Sequence, residues 1–245
     1  MKKKIFGFIV FSLCLVSFLF SGEKIKEKDL PLKYREFLKL TGYIILSEEK
    51  NVFLQLTTNR DRDIFIKTFW KQRDPTPGTP DNEYWEEHIK RFAYANKFYG
   101  RATPREGWMT DMGRFHIILG EPVSKERWEG KMGIVPVQAW YYYGDKEKGL
   151  PPHFAIVFFK RGGAGEWRLY DHFADGPASL LEYRSDIDFT DFEGLYERIR
   201  ELGHTLCLVS HSMIPGDIPF NFQPSPMNNI ILANILDSPK KDINP

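Results

Sequence analysis

Along this 245-residue chain the spacing of apolar positions changes after Gly100. Before it, the spacing is helical. Residues 31–40 form a short helix candidate, and 41–46 fit no single period. Ser47 stands as a cap for a helix to about Leu56, with Val52, Phe53 and Leu56 on its apolar face. Thr57 or Thr58 caps the next, residues 59–73, with Ile66, Phe69 and Trp70 inward. In RDPTPGTPDNE, Pro75, Pro77 and Pro80 hold the backbone extended. Thr79 is then the expected N-cap and Pro80 the first residue of a helix reaching Tyr99. Trp85, Ile89, Phe92, Asn96 and Tyr99 lie on one stripe of that helix. An amide on an apolar stripe costs about 1–3 kcal/mol unless it is bonded. Asn96 is therefore expected to hold the backbone of a neighbouring loop.

Beyond Gly100 apolar and polar positions alternate. Residues 114–119, 137–143, 154–160 and 166–170 read as strands with short links, hence an antiparallel meander. Residues 189–202 return to a helical period behind Thr190. Residues 205–210 alternate like a strand, the stretch around Pro215 to Pro226 reads as extended, and 228–236 fit either a strand or a short helix. Helices first and strands second make the fold α+β. N-terminal helices pack against a mainly antiparallel sheet, followed by a helix and an extended proline-rich C-terminal segment. The division is residues 1–22, a domain over 31–182, and an extension over 183–245. The extension lacks a terminating element and reads as a linker or as part of a fragment.

The first 22 residues change the picture of location. Lys2, Lys3 and Lys4 precede an apolar run over residues 5–20. At helical rise the run spans roughly 24 Å, short of a bilayer core of about 30 Å. This is the pattern of an export signal, with cleavage after Ser21 or Gly22. Leu19 or Phe20 would then occupy a site that favours small residues, so an uncleaved anchor is the alternative. Leu13 before Cys14 argues against lipidation. Membrane contact is expected through this segment only. The formal charge is +1, and −2 once the three lysines are removed. Such a balance excludes a nucleic-acid partner. Cys207 is then the only cysteine, in a pattern that suits a buried thiol.

Residues 107–122, GWMTDMGRFHIILGEP, are the densest run of turn and motif residues. Gly107 permits backbone angles that other residues avoid, Thr110 and Asp111 can bond backbone two residues on and shape a tight turn, and Gly113 can finish it. Trp108 is expected to plug the gap between helices and sheet. Phe115, Ile117 and Leu119 are expected inward, with Arg114 and His116 opposite. The stretch resembles the GWxTD-domain family of bacterial proteins in Gly107-Trp108-Met109-Thr110-Asp111. Upstream, Phe69-Trp70, residues 73–79, Asn82-Glu83, Arg91, Ala95-Asn96 and Phe98 also fit. Downstream, Gly113-Arg114, Gly120 and Pro122 fit, while Met112 and Glu121 depart from the usual arginine and proline. The similarity covers about residues 34–182. It implies an exported or envelope-associated protein and supplies no reaction.

Candidate chemistry centres on Arg73, Asp74, Asn82, Glu83, His88, Arg91, Asn96, Asp111 and Arg114, beside Gly107, Trp108 and Thr110. Two readings stand. In one, these groups form a network locking the proline loop onto the GWMTD corner. In the other, they line a polar pocket for a ligand or for acid–base work. The six histidines show no i,i+4 pair and no HExxH, so no metal and no cofactor is expected. The expected function is a non-catalytic module that binds an envelope protein or peptide partner. The alternative is an exported hydrolase using Asp111, Glu83 and His88. The run Trp140-Tyr141-Tyr142-Tyr143 is expected to bury one alternate pair.

Overall fold

The computed structural model describes residues 24–183, 188, 190–217 and 222–243. The export segment read in residues 1–22 lies outside them. Among the described residues, no helix is long and apolar enough to cross a membrane.

Three apolar clusters organise the chain. The first joins α1 (Leu32–Thr41), α2 (Ser47–Gln55) and α3 (Asn59–Lys71). Each helix has one apolar face, and the faces meet in buried Tyr34, Phe37, Phe53 and Phe69. Phe37 packs against Phe53 at 5.1 Å and edge-on to Phe69 at 5.3 Å between ring centroids. Thr58 caps α3 by accepting from the Asp61 amide, as its position suggested.

α4 (Glu83–Tyr99) begins later than the proline pattern implied. Its cap is Asn82, whose Oδ1 accepts from the Trp85 amide at 2.8 Å. The same side chain donates through Nδ2 to the Trp70 carbonyl at 2.8 Å. Asn82 thereby starts α4 and ties it to the end of α3. The Thr79 hydroxyl instead donates to carbonyls within its own turn.

Residues 114–119 belong to helix α5 (Asp111–Leu119), not to the strand their alternation implied. Met112, Phe115, His116 and Ile117 are all buried, because α5 lies between α4 and the sheet. A segment buried on several sides carries no diagnostic period. His116, expected to face out, stacks on Tyr94 at 4.5 Å.

The sheet contains β1 (Ser124–Trp128), β2 (Val137–Tyr143), β3 (His153–Phe159) and β4 (Arg168–Leu169). They form an antiparallel meander in the order β1-β2-β3-β4. Alternate residues of β2 and β3 enter different clusters. Ala139, Val157 and Phe159 join α6 (Phe192–Leu202) and α7 (His204–His211). Trp140, Ile156 and Phe158 join α5 and α8 (Met227–Asp237) on the other face. Covering both faces explains why β3 is apolar almost throughout. It also explains the aromatic run, where Trp140 and Tyr142 are buried, Tyr141 is half-buried and Tyr143 is exposed.

The C-terminal region departs from the period-2 reading. Residues 204–211 are α7, and the ambiguous stretch 228–236 is helix α8. In α7, Leu206, Cys207, Val209, Ser210 and His211 are buried, so its apolar content again hides its period. The Cys207 thiol donates to the Tyr196 carbonyl at 3.4 Å and is a buried packing group. Asp191, one residue beyond Thr190, caps α6.

Candidate functional site

The GWMTD corner is a close approach of three backbones. Gly107–Met109 form a short 3-10 turn that presses against α4. A Cβ on Gly107 would stand 2.0 Å from the Ala95 carbonyl oxygen. A Cβ on Gly113 would stand 1.9 Å from the carbonyl oxygen of Gly107. Buried Thr110 fastens the turn to α5: its hydroxyl donates to the Gly107 carbonyl at 2.7 Å and accepts from the Gly113 amide at 3.0 Å. Asn96 Oδ1 accepts from the Trp108 amide at 3.0 Å, the loop contact its place on the apolar stripe implied. Asp111 Oδ2 accepts from the Leu169 amide at 2.8 Å and so joins α5 to β4.

Trp108 sits elsewhere than expected. Its ring is half-buried, stacks on Phe92 at 5.8 Å and tilts against Tyr43 at 5.9 Å. It therefore wedges α4 against the connection between α1 and α2. The gap between helices and sheet is filled by Met112 and Phe115, which carry no polar atom to satisfy. The Tyr43 hydroxyl donates to the Trp108 carbonyl at 2.9 Å, and the Arg114 guanidinium lies over the Tyr43 ring at 5.7 Å.

The remaining candidate groups do not form one network with this corner. Arg73, 1% exposed, binds both oxygens of Glu49 at 3.0 and 2.7 Å. It also donates to the Phe69 carbonyl at 3.1 Å and covers the Phe69 ring at 3.7 Å. Glu49 escaped the sequence reading because its partner lies 24 residues away. Glu49 also accepts from the Leu46 amide at 2.8 Å. Asp74 Oδ1 accepts from the Thr76 amide at 3.0 Å and shapes the proline loop. Removing one member of a buried ion pair strands the other charge. Glu49→Ala should accordingly cost about 3 kcal/mol in urea unfolding, and an unchanged midpoint would mean that the Arg73–Glu49 pair does not stabilise the fold.

A cleft of about 630 Å³ opens where the segment after α3, α4, the end of α5, the β2–β3 loop and the segment after α8 converge. Arg73, Glu83, His88 and Arg91 reach it, joined by Tyr84 and Glu87 of α4. Asn96, Asp111 and Arg114 do not line it. The opposite side carries Tyr143 of the aromatic run, with Asp145, Lys148, Lys241 and Asp242, four charged residues that the sequence did not single out. Their common feature appears only in three dimensions, because α8 and β3 carry distant segments to the same rim.

The chemistry of the cleft is largely self-contained. His88 Nε2 is 2.8 Å from the Leu40 carbonyl oxygen. Burial first, with Arg91 and Arg73 adding to it, lowers the His88 pKa to about 4 against the backbone bond, so the ring is neutral at pH 7. Burial pushes the Tyr84 phenol up to about 12. Arg91 Nε donates to Glu87 at 2.8 Å, and its Nη1 reaches the Ile118 carbonyl at 3.3 Å at the end of α5. Gly120 ends that helix at φ +80° with the Arg91 guanidinium 2.9 Å from where a Cβ would stand. Lys148 pairs with Asp242. Glu83 accepts from the Thr76 hydroxyl, and Asp145 accepts from the Glu147 amide at 2.9 Å. Among the described residues, no group of three or more His, Cys, Asp or Glu side chains could hold a metal ion.

A family model described as GWxTD domain matches residues 25–160. No curated protein and no solved structure matches the chain. The matched interval contains the N-terminal helices, α4, the corner and the sheet through β3. The rim segment of Lys241 and Asp242 lies beyond it.

Proposed function

The chain belongs to the GWxTD-domain family, and on that premise we propose that it is an exported, envelope-associated, non-catalytic module that binds a protein or peptide partner in this cleft. The reading of location rests on Lys2, Lys3 and Lys4 ahead of the apolar run over residues 5–20. The reading of activity rests on one observation: the cleft is large and open, yet its ionisable groups are mostly engaged with each other or with backbone. A general base needs a free lone pair near neutral pH. A hydrolase built on Asp111, Glu83 and His88 would need those groups to converge. Asp111 is engaged by the Leu169 amide outside the cleft, and His88 is engaged by the Leu40 carbonyl.

A photo-crosslinking amino acid at Tyr143, the 66% exposed tyrosine on the rim, tests this in intact cells. The expected result is an adduct in the envelope fraction that maps to one contiguous segment of one partner. The same probe at Ile64, exposed on α3 and away from the cleft, should give none. Equal labelling from both positions, or full-length chain recovered only from cytoplasm, would refute the reading.

A further inference from the structure

We propose that the ligand of the cleft is a peptide segment carrying both a basic and an acidic side chain, with Glu83 receiving the cation and Lys241 the anion. This deepens, and rests on, the peptide-binding reading above. Most charges around the cleft cancel locally. Arg91 pairs with Glu87, Lys148 with Asp242, and Arg73 with Glu49. Glu83, Asp145 and Lys241 remain, all exposed and none in a salt bridge among the described residues. The Asp145 carboxylate caps its own turn by accepting from the Glu147 amide, so Glu83 is the remaining carboxylate on the α4 wall. Glu83 accepts from the Thr76 hydroxyl and from its own backbone amide, and the Lys241 ammonium donates to the Lys148 carbonyl at 2.9 Å.

Glu83 lies on the α4 wall and Lys241 on the wall supplied by the segment after α8. A ligand of one sign would satisfy one wall and meet like charge at the other. A polyanion would face Glu83, Glu87 and Asp145, and a hydrocarbon chain would strip water from all of them without return. A mixed-charge peptide meets both walls. The volume, about 630 Å³, accommodates a short segment. The Tyr84 and Tyr143 rings offer it apolar surface with polar tips. Glu83 lies inside the matched interval 25–160 and Lys241 beyond it, so the anion-receiving wall comes from outside the matched interval.

The test uses the full chain and three fluorescein-labelled heptapeptides, read by anisotropy. One is Gly-Lys-Ala-Tyr-Ala-Glu-Gly; the others carry two lysines or two glutamates at the charged positions. The mixed peptide should bind about fivefold tighter than either. Glu83→Lys and Lys241→Glu should each erase that preference. The double exchange should restore it, since the ligand then binds reversed, and restoration also shows that the variants fold. Equal affinity for all three peptides, or no recovery in the double exchange, overturns the inference and leaves peptide binding intact. No binding of any peptide overturns both.

Discussion

Acidification from pH 7 to pH 5 is expected to unfold this protein. Four histidines, His88, His116, His172 and His211, are each 4–7% exposed. Burial is the first cause lowering each pKa from 6.5 to about 4. The Leu40 and Val209 carbonyls oppose that shift for His88 and His172, and the Glu121 charge opposes it for His116, without reversing it. The folded pKa is the lower one, so the unfolded chain takes up protons first. The contribution is complete above pH 6.5 and is lost as pH falls toward 4. One pKa unit corresponds to about 1.4 kcal/mol, so each ring forfeits about 2 kcal/mol by pH 5 and the four about 8. That is comparable to the whole stability of an ordinary domain, about 5–15 kcal/mol. Urea unfolding across this range should show an uptake of nearly four protons on unfolding near pH 5. Replacing His116 by phenylalanine should reduce that number by one. An uptake of one proton or fewer would mean that these rings are charged or solvated in the native state.

Gly107→Ala and Gly113→Ala are expected to cost more than about 4 kcal/mol each, enough to prevent folding in a marginal background. A methyl at 2.0 Å from the Ala95 oxygen, or at 1.9 Å from the Gly107 oxygen, lies far inside van der Waals contact. The opposing atoms are backbone of α4 and of the corner turn, so no side-chain rotation relieves the clash. Neither residue has a positive φ, so the requirement is for space and not for a left-handed backbone. Gly162→Ala supplies the contrast. Its added methyl meets nothing within 4 Å, and its cost is the milder strain of φ +67°. Circular dichroism melts of the three variants test the ordering. A Gly107→Ala protein as stable as Gly162→Ala would mean that the corner is looser than described.

Several features were legible before any coordinates because their signal is local. α1 to α4 each have a wet face and a dry face, so their period survives in the sequence. Asn96 stood out as an amide on an apolar stripe, and its bond to the Trp108 amide is the consequence. The α+β class follows from the order of the elements. α5 and α7 carry a strand-like pattern because neighbours cover them on several sides, leaving no polar face to mark a helical period. β1 was missed for the opposite reason: its sequence, SKERW, is polar because it lies at the sheet edge.

The sequence by itself determined the α+β class, the family and the residues of the corner. Capping and amphipathic period act within a few residues, whereas the steric need for Gly107 comes from the Ala95 carbonyl on α4 and appears only in the fold. Only the tertiary structure decided where Trp108 packs, that Glu49 answers Arg73, and that Asp111 faces β4 and not Glu83 and His88. It also decided that α4, the β2–β3 loop and the segment after α8 share one cleft. Such pairings depend on how the helices and sheet are brought together, and pairwise contact between groups distant along the chain leaves no periodic trace in it.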